Sequence, residues 1–384
     1  MSPDTSPVQP DLPDKENFVD LAHRLGPQMA GRAMQVDSDN VFVSDSFATL
    51  KEEGLIEAGV PRELGGGGAE IPELAEMLRV LARDCGSTAL AFSMHTHQVA
   101  TAAWRWRHQN ALLLEPLLRR VAAERVILLS SGGSDWIGGS GEAEKVEGGF
   151  RVSGRKKFTS GAEAGNILMT SAIYEKDDGS RSVIHFGVPM ASANVRIEQT
   201  WNTLGMRGTA SNDVVLDDLF VADASVAFSR KAGEWHPVFQ TIATIAFPLV
   251  YAVYLGVAES ARDIAIDIAR GRPQADPSLA GRLDTELRAA QLAHRWMLDI
   301  VALNAPSAHT VNEVMIGRSL VARHAIAAVE LAMELAGGAS FYRAAGLERR
   351  FRDIQGARFH PLQAGPQAHY AGATALGLST AKVY

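Results

Sequence analysis

Apolar positions divide the chain into three textures. Leu74, Met77, Leu78 and Leu81 fall at i, i+3, i+4 and i+7, the spacing of one buried helix face. Pro72 suits the first turn of that helix and Gly86 a position just past its end. Helical texture of this kind extends from about Lys15 to Glu124, with Gly65 to Gly68 as a mobile loop between helices. From about Arg125 to Asp223 the pattern changes to short β-rich runs: VILLSS, GFRVSGRKKF, NILMTSAIY, RSVIHFGVP and NDVVLDDLFV. Phe150 and Val152 alternate with Arg151 and Ser153, as a half-buried strand requires. Strands that follow one another without helices predict an antiparallel sandwich or barrel. From about Phe228 the texture is helical again, and VARHAIAAVELAMELAGG closes on Gly337 and Gly338, a helix C-cap signal.

The longest uncharged stretch, Thr241 to Ala258, approaches the ~20 apolar residues of a membrane span. Its proline, its two tyrosines and its continuation into ESARDIAIDIAR predict instead a helix buried on all sides in a bundle. The expected fold is α+β: a flexible tail over 1–14, a helical domain over 15–124, a central β domain over 125–226 and a C-terminal helical bundle over 227–384.

Composition narrows the function classes. Of 384 residues, 37 are Lys or Arg and 44 are Asp or Glu, a formal charge of −7. That balance argues against general nucleic-acid binding, which needs a basic surface. A single cysteine, Cys85, excludes an internal disulfide framework and a cysteine-based zinc site, and a reducing, cytoplasmic home is the simplest expectation. The first residues, MSPDTSPVQPDLPDKEN, read as a tail, since neither a signal peptide nor a lipidation motif looks like this.

Candidate chemistry concentrates in the β segment. There is no P-loop, HExxH or GxSxG. His95 and His97 stand two apart on a helix and point to different sides, so a metal site is not expected. One is expected to face a pocket and the other to pack. Three loops are more informative. Ser130 to Gly141 is a small-residue loop after a strand, able to bring backbone N–H groups close to a ligand. Ser153 to Asn166 delivers an aromatic, Phe158, beside the hydroxyls of Thr159 and Ser160. Trp201 to Val221 carries Gly205, Arg207 and Gly208 ahead of a strand.

With LKEEGLIEAGVPRELGGGG (Leu50 to Gly68) and ELAGGASFYRAAGLERRFRD (Glu334 to Asp353), GRKKFTSGA and WNTLGMRGTASNDVVLDDLFV stand in an order that resembles the acyl-CoA dehydrogenase superfamily. The resemblance covers about residue 18 to 384. It implies a helical N-terminal domain, a central β domain and a C-terminal four-helix bundle, assembled as a homotetramer or homodimer. It implies FAD, with FMN as the alternative, between the β domain and the bundle. By carry-over, Phe158 would stack on the isoalloxazine beside Thr159, and Ser160 would hydrogen-bond near N5. Ser130 and Ser131 would meet the pyrimidine side, and Arg207 would lie in the adjoining loop. Glu334, Gly337 and Gly338 would touch the adenosine end across a subunit contact. The partners implied are a small-molecule substrate and either a flavin reductase or an electron-transfer flavoprotein.

The pattern departs from the dehydrogenases at the catalytic base. Their glutamate lies eight residues after the Asp of the RD pair, and here that position is Pro361. The second known base position, two residues before a proline on the first bundle helix, is Ala246, and the neighbouring arginine is Phe247. The element that clamps the FAD pyrophosphate is blurred, as ARGRPQADPSLAGR. Beside the empty base position stands His360. This resembles the monooxygenase branch of the superfamily, such as dibenzothiophene monooxygenase, whose members take reduced flavin from a separate reductase and use O2. His360, with His95 or His97, is the catalytic candidate on that reading, acting on an apolar or aromatic substrate. The alternatives are an acyl-CoA dehydrogenase with a displaced base, and a non-catalytic homologue that binds flavin or acyl-CoA.

Overall fold

The computed structural model describes residues 17–381, so the tail read over 1–14 lies outside the described residues. The N-terminal region is helical: α1 (Phe18–Asp39), α2 (Ser44–Glu52), α3 (Ile71–Asp84), α4 (Gly86–Gln109) and α5 (Glu115–Glu124). Asn17 starts α1 by accepting the Val19 and Asp20 amides on its side chain, the standard N-cap arrangement. Helix α3 ends at Asp84 with Cys85 as its C-cap, so Gly86 lies just past its end as expected, and the same glycine also opens α4. A Cβ at Gly86 would sit 2.9 Å from Val257, so the small residue serves close packing of the two helical regions. The Gly65–Gly68 loop, expected to be mobile, is held by backbone bonds and close contacts to the preceding segment. Its Gly68 amide donates to Val60 O at 2.8 Å, and a Cβ at Gly66 would meet Val60 at 2.3 Å.

The central region holds β1 (Leu128–Ser130), a short α6 (Gly133–Gly138), β2 (Glu142–Val146), β3 (Gly149–Lys156), β4 (Ile167–Glu175), β5 (Arg181–Pro189), β6 (Val195–Glu198), β7 (Asp213–Ala222) and β8 (Val226–Lys231). They form one sheet in the order β6-β7-β3-β2-β4-β5-β8, with β1 added on β4. Pairing is antiparallel except where β4 meets β1 and β2, which run parallel to it. Along β3, Phe150 and Val152 are buried and Arg151 and Ser153 exposed, as the alternation predicts. The sheet runs to Lys231, because β8 pairs with β5 from Ser182↔Lys231 to Phe186↔Val226.

The C-terminal region has three long helices, α7 (Val238–Arg270), α8 (Pro277–Ala302) and α9 (Ala308–Ala336), followed by the shorter α10 (Leu347–Ile354) and α11 (Ala364–Ala375). The long apolar stretch lies in α7, which is long and apolar enough to cross a membrane. Here 94% of its most apolar 18-residue window is buried by the rest of the chain. Helices α3, α4, α8 and α9 all pack on it, which is why it is apolar on every side. One cluster of buried side chains continues through all three regions. The sheet and the helical regions therefore share a single core, and residues far apart in sequence meet at their junction.

Candidate active site at the junction of sheet and bundle

After Lys156 the chain leaves β3 and turns sharply. Phe158 takes φ = +56°, a left-handed conformation that is rare for a bulky side chain. Its ring is left 56% exposed, edge-on to Trp201 with centroids 5.9 Å apart. The Gly132 amide donates to Lys157 O at 2.8 Å, tying the β1–α6 loop to this turn. A Cβ at Gly132 would lie 3.2 Å from Phe158 Cδ2, and one at Gly133 would lie 2.0 Å from Pro361 Cγ. The two glycines thus let three segments converge: loop 131–133, Phe158 and the turn 359–361. Ser160 extends this surface with a chain of hydroxyls, Ser160 Oγ to Ser211 Oγ at 2.7 Å and Ser211 Oγ to Thr209 Oγ1 at 2.8 Å. Thr159 is buried, its hydroxyl reaching back to Lys156 O at 3.4 Å.

Below the loop lies a buried ionic cluster. Asp135 accepts from the hydroxyls of Ser131, Ser140 and Thr170 and from Lys156 Nζ at 3.1 Å. The Lys156 ammonium also donates to Ser140 O and Ser171 O. The Ser131 hydroxyl is turned inward to Asp135, so a contact of this residue with a ligand would be made through its backbone. Ser130 is the buried last residue of β1, opposite Met169.

The opposite wall is built by helices α7 and α9. Tyr251 OH donates to Ala357 O at 2.8 Å, and Arg318 donates to Ala357 O at 3.1 Å and His360 O at 2.8 Å. These bonds hold the backbone of the turn. The His360 ring meets Tyr254 OH through Nε2 at 2.6 Å. Burial, helped by the charge of Arg318 and the nearby His97, pushes the imidazolium of His360 down to about 3, so the ring is neutral at ordinary pH.

The two α4 histidines have different surroundings. His95 accepts the Leu128 amide on Nδ1 at 3.0 Å, and its Nε2 donates to Ile56 O at 2.8 Å. Both nitrogens are taken by backbone, so His95 ties α4 to β1 and has no free ring nitrogen for a ligand. His97 keeps a buried Nδ1 with no partner among the described residues, and burial pushes its imidazolium down to about 4. Arg207 donates from Nε to Asn40 Oδ1 at 3.0 Å, at the end of α1. Glu334 is exposed near the end of α9, and Gly337 (φ = +54°) faces Arg272, which donates to Ala336 O. The immediate partners of this segment are thus Arg272 and the α9 terminus.

Tyr254, Arg318, Asp135 and Lys156 were not singled out from the sequence. A signal existed for Tyr254: two tyrosines at i and i+3 in an otherwise apolar helix need acceptors for their hydroxyls. A hollow of about 240 Å³ beside Trp201, lined by Asn40, Glu163, Gln199 and Asn212 among others, is smaller than the ~300–1,000 Å³ of typical ligand sites. The exposed ring of Phe158 stands beside the two glycines and the turn 359–361 and is backed by the buried hydroxyls of Ser160, Ser211 and Thr209, an arrangement on which a flat ring could stack.

Comparison with known proteins agrees with this geometry. Models of the acyl-CoA dehydrogenase N-terminal, middle and C-terminal domains match residues 13–119, 130–219 and 249–363. The chain is 26% identical to amino sugar nitrososynthase DnmZ of Streptomyces peucetius, over 97% of this chain and 96% of that one. It is also 26% identical to dibenzothiophene monooxygenase of Rhodococcus erythropolis, over 70% of this chain and 66% of that one. The structure of KijD3 in complex with FMN and dTDP-3-amino-2,3,6-trideoxy-4-keto-3-methyl-D-glucose superposes with a TM-score of 0.85 at 27% identity, covering 96% of each chain. With its three domains matched in order and its fold shared over nearly the whole length, the chain belongs to the acyl-CoA dehydrogenase superfamily of flavin-dependent oxidoreductases.

Proposed function

We propose that this chain is a monooxygenase that uses reduced flavin and O2 to oxidise a small organic substrate, with the flavin reduced by a separate reductase. One observation carries the reading. Where the dehydrogenases of the family keep a carboxylate, this chain has Pro361 and Ala246, and the group held beside the empty position is the neutral imidazole of His360. Removing the α-proton of a thioester needs a base within about 3 Å of it. An imidazole whose proton affinity is depressed to about 3 is a poor base, but it can donate a hydrogen bond to oxygen.

The flavin supplies the electrons and activates O2. The chain supplies orientation, charge and dryness. Phe158 would stack on the ring, Ser160 would bond its edge, and the loop from Ser130 would approach it with backbone. His360 on the turn after α10 and His97 on α4 are the imidazoles near this region, and burial around them would slow loss of activated oxygen to water. FAD is the family's usual cofactor; FMN is supported by the KijD3 complex. The aromatic pair Phe158 and Trp201 and the tyrosines Tyr251 and Tyr254 near His360 support an apolar or aromatic substrate. Likeness over the full length to DnmZ and KijD3 supports an amino sugar nucleotide as a second class. Leu292, Trp296 and Leu303 are exposed along α8, and Phe341 and Tyr342 after α9. Apolar exposure of this kind supports a homo-oligomer, with Glu334, Gly337 and Gly338 reaching the flavin of a neighbouring subunit.

The test is anaerobic mixing of flavin-loaded protein with a panel of acyl-CoAs, watched at the flavin absorption band. Little or no bleaching is expected, and substrate oxidation should depend on an added reductase and O2. Fast, complete bleaching by any acyl-CoA would establish the dehydrogenase reading instead. Binding without bleaching or O2 uptake would mark a non-catalytic homologue.

A further inference from the structure

The hydroxyl of Tyr254 has one hydrogen-bond partner among the described residues, His360 Nε2 at 2.6 Å. Tyr254 is fully buried, so its phenol proton has no water to turn to. A buried donor left without an acceptor is unfavourable. Two arrangements of the pair are conceivable. If the imidazole donates from Nε2, the phenol proton has no acceptor. If Tyr254 donates, its proton is satisfied and Nε2 must be bare. In a neutral ring a bare Nε2 puts the proton on Nδ1. The Nδ1 atom has no hydrogen-bond partner among the described residues, and His360 as a whole residue keeps some exposure although its imidazole is largely desolvated.

We propose that Tyr254 is a positioning residue that holds His360 as its Nδ1–H tautomer, so that the imidazole keeps a free N–H donor for what binds beside the turn. Tyr251, one helical turn earlier, acts differently. Its hydroxyl and the Arg318 guanidinium grip the carbonyls of Ala357 and His360 and do not bond the imidazole. Backbone placement of the turn and proton placement on the ring are thus assigned to different side chains. The distinction matters chemically: an N–H donor stabilises an oxygen that gains negative charge, and a bare nitrogen repels it. This consequence for turnover rests on His360 facing the flavin, whereas the tautomer does not.

The two are separated by experiment. Full-length protein carrying ¹⁵N-labelled histidine is measured by NMR with and without flavin, and the His360 signals are identified by their loss in His360→Gln. The expected spectrum has a protonated Nδ1 and a bare Nε2. Tyr254→Phe should move the ring toward the Nε2–H form that free histidine prefers, and Tyr251→Phe should leave it unchanged. A wild-type Nε2–H ring overturns the proposal without any variant having to fold, and so does a tautomer unchanged in Tyr254→Phe. In the reductase-coupled assay, Tyr254→Phe should lower product formed per H2O2 released by up to about tenfold, with no further loss in a His360→Gln background. A loss that persists in that background overturns the proposal. The expected tautomer with unaltered product yield in both variants upholds the assignment and counts against the monooxygenase reading.

Discussion

Two buried polar clusters face each other across the candidate site, and they are finished differently. In the cluster under the glycine loop, Asp135, Lys156, Ser131, Ser140, Thr170 and Ser171 satisfy one another, and none of their buried polar atoms lacks a partner. In the cluster around His360, His97 Nδ1 on α4 and Arg318 Nε on α9 are buried with no partner among the described residues, and His360 Nδ1 makes no bond among them. A fully satisfied network rigidifies, so the first cluster sets the shape of a wall. Unmet donors and acceptors in a native interior call for an explanation. The second cluster is explained if it is completed by what binds there. The contrast separates scaffold from chemistry more clearly than burial does, because both clusters are buried.

The sharpest way to break this comparison is to open the closed cluster. Lys156→Met strands the Asp135 carboxylate, and breaking a buried pair from one side costs about 3–5 kcal/mol. Urea unfolding should show a loss of that size; a loss under about 1 kcal/mol would mean the cluster is not tightly closed. A smaller effect should distinguish the two α4 histidines. His95→Ala removes two buried bonds to backbone and should cost about 2–3 kcal/mol. His97→Ala should cost under about 1 kcal/mol and instead raise H2O2 release in the coupled assay. Equal stability losses would erase the distinction. Per pH unit, a more gradual effect concerns acid stability. His95 is pushed down to about 4 by burial, and its unfolded value is about 6.5. Between those values the unfolded chain binds the extra proton, so stability is complete above about pH 6.5 and falls as pH drops toward 4. His95→Gln should make stability about 1.4 kcal/mol per pH unit less steep in that window, and an unchanged slope would show that the folded ring is readily protonated.

Much of the fold was legible because it follows local periodicity. The β3 alternation, the helical face of α3 and the all-round apolarity of α7 are each written in consecutive residues. The helix–sheet–helix order also survives, although β8 carries the sheet past the expected boundary at 226. Phe158 and Ser160 could be picked out because an aromatic and hydroxyls follow a strand within a resembling motif. Gly86 reads as a boundary, which it is, but its packing role could not be read, since what crowds a side chain there is Val257, on another helix. The inward turn of Ser131 was hidden for the same reason: its partners include Thr170, 39 residues away.

What the sequence determined alone was the set of elements, their order and the absence of a carboxylate at the two familiar base positions. Periodicity and residue identity are properties of short segments, and segments declare them without reference to one another. What only the tertiary structure decided was which polar atoms are used and which are left over. Tyr254 and His360 stand 106 residues apart, and their pairing exists only because α7 and the turn after α10 pack on one core. Hydrogen bonds are settled over a few ångströms in space, so the difference between a histidine that ties helix to strand and one whose ring nitrogen is left over cannot be seen along the chain.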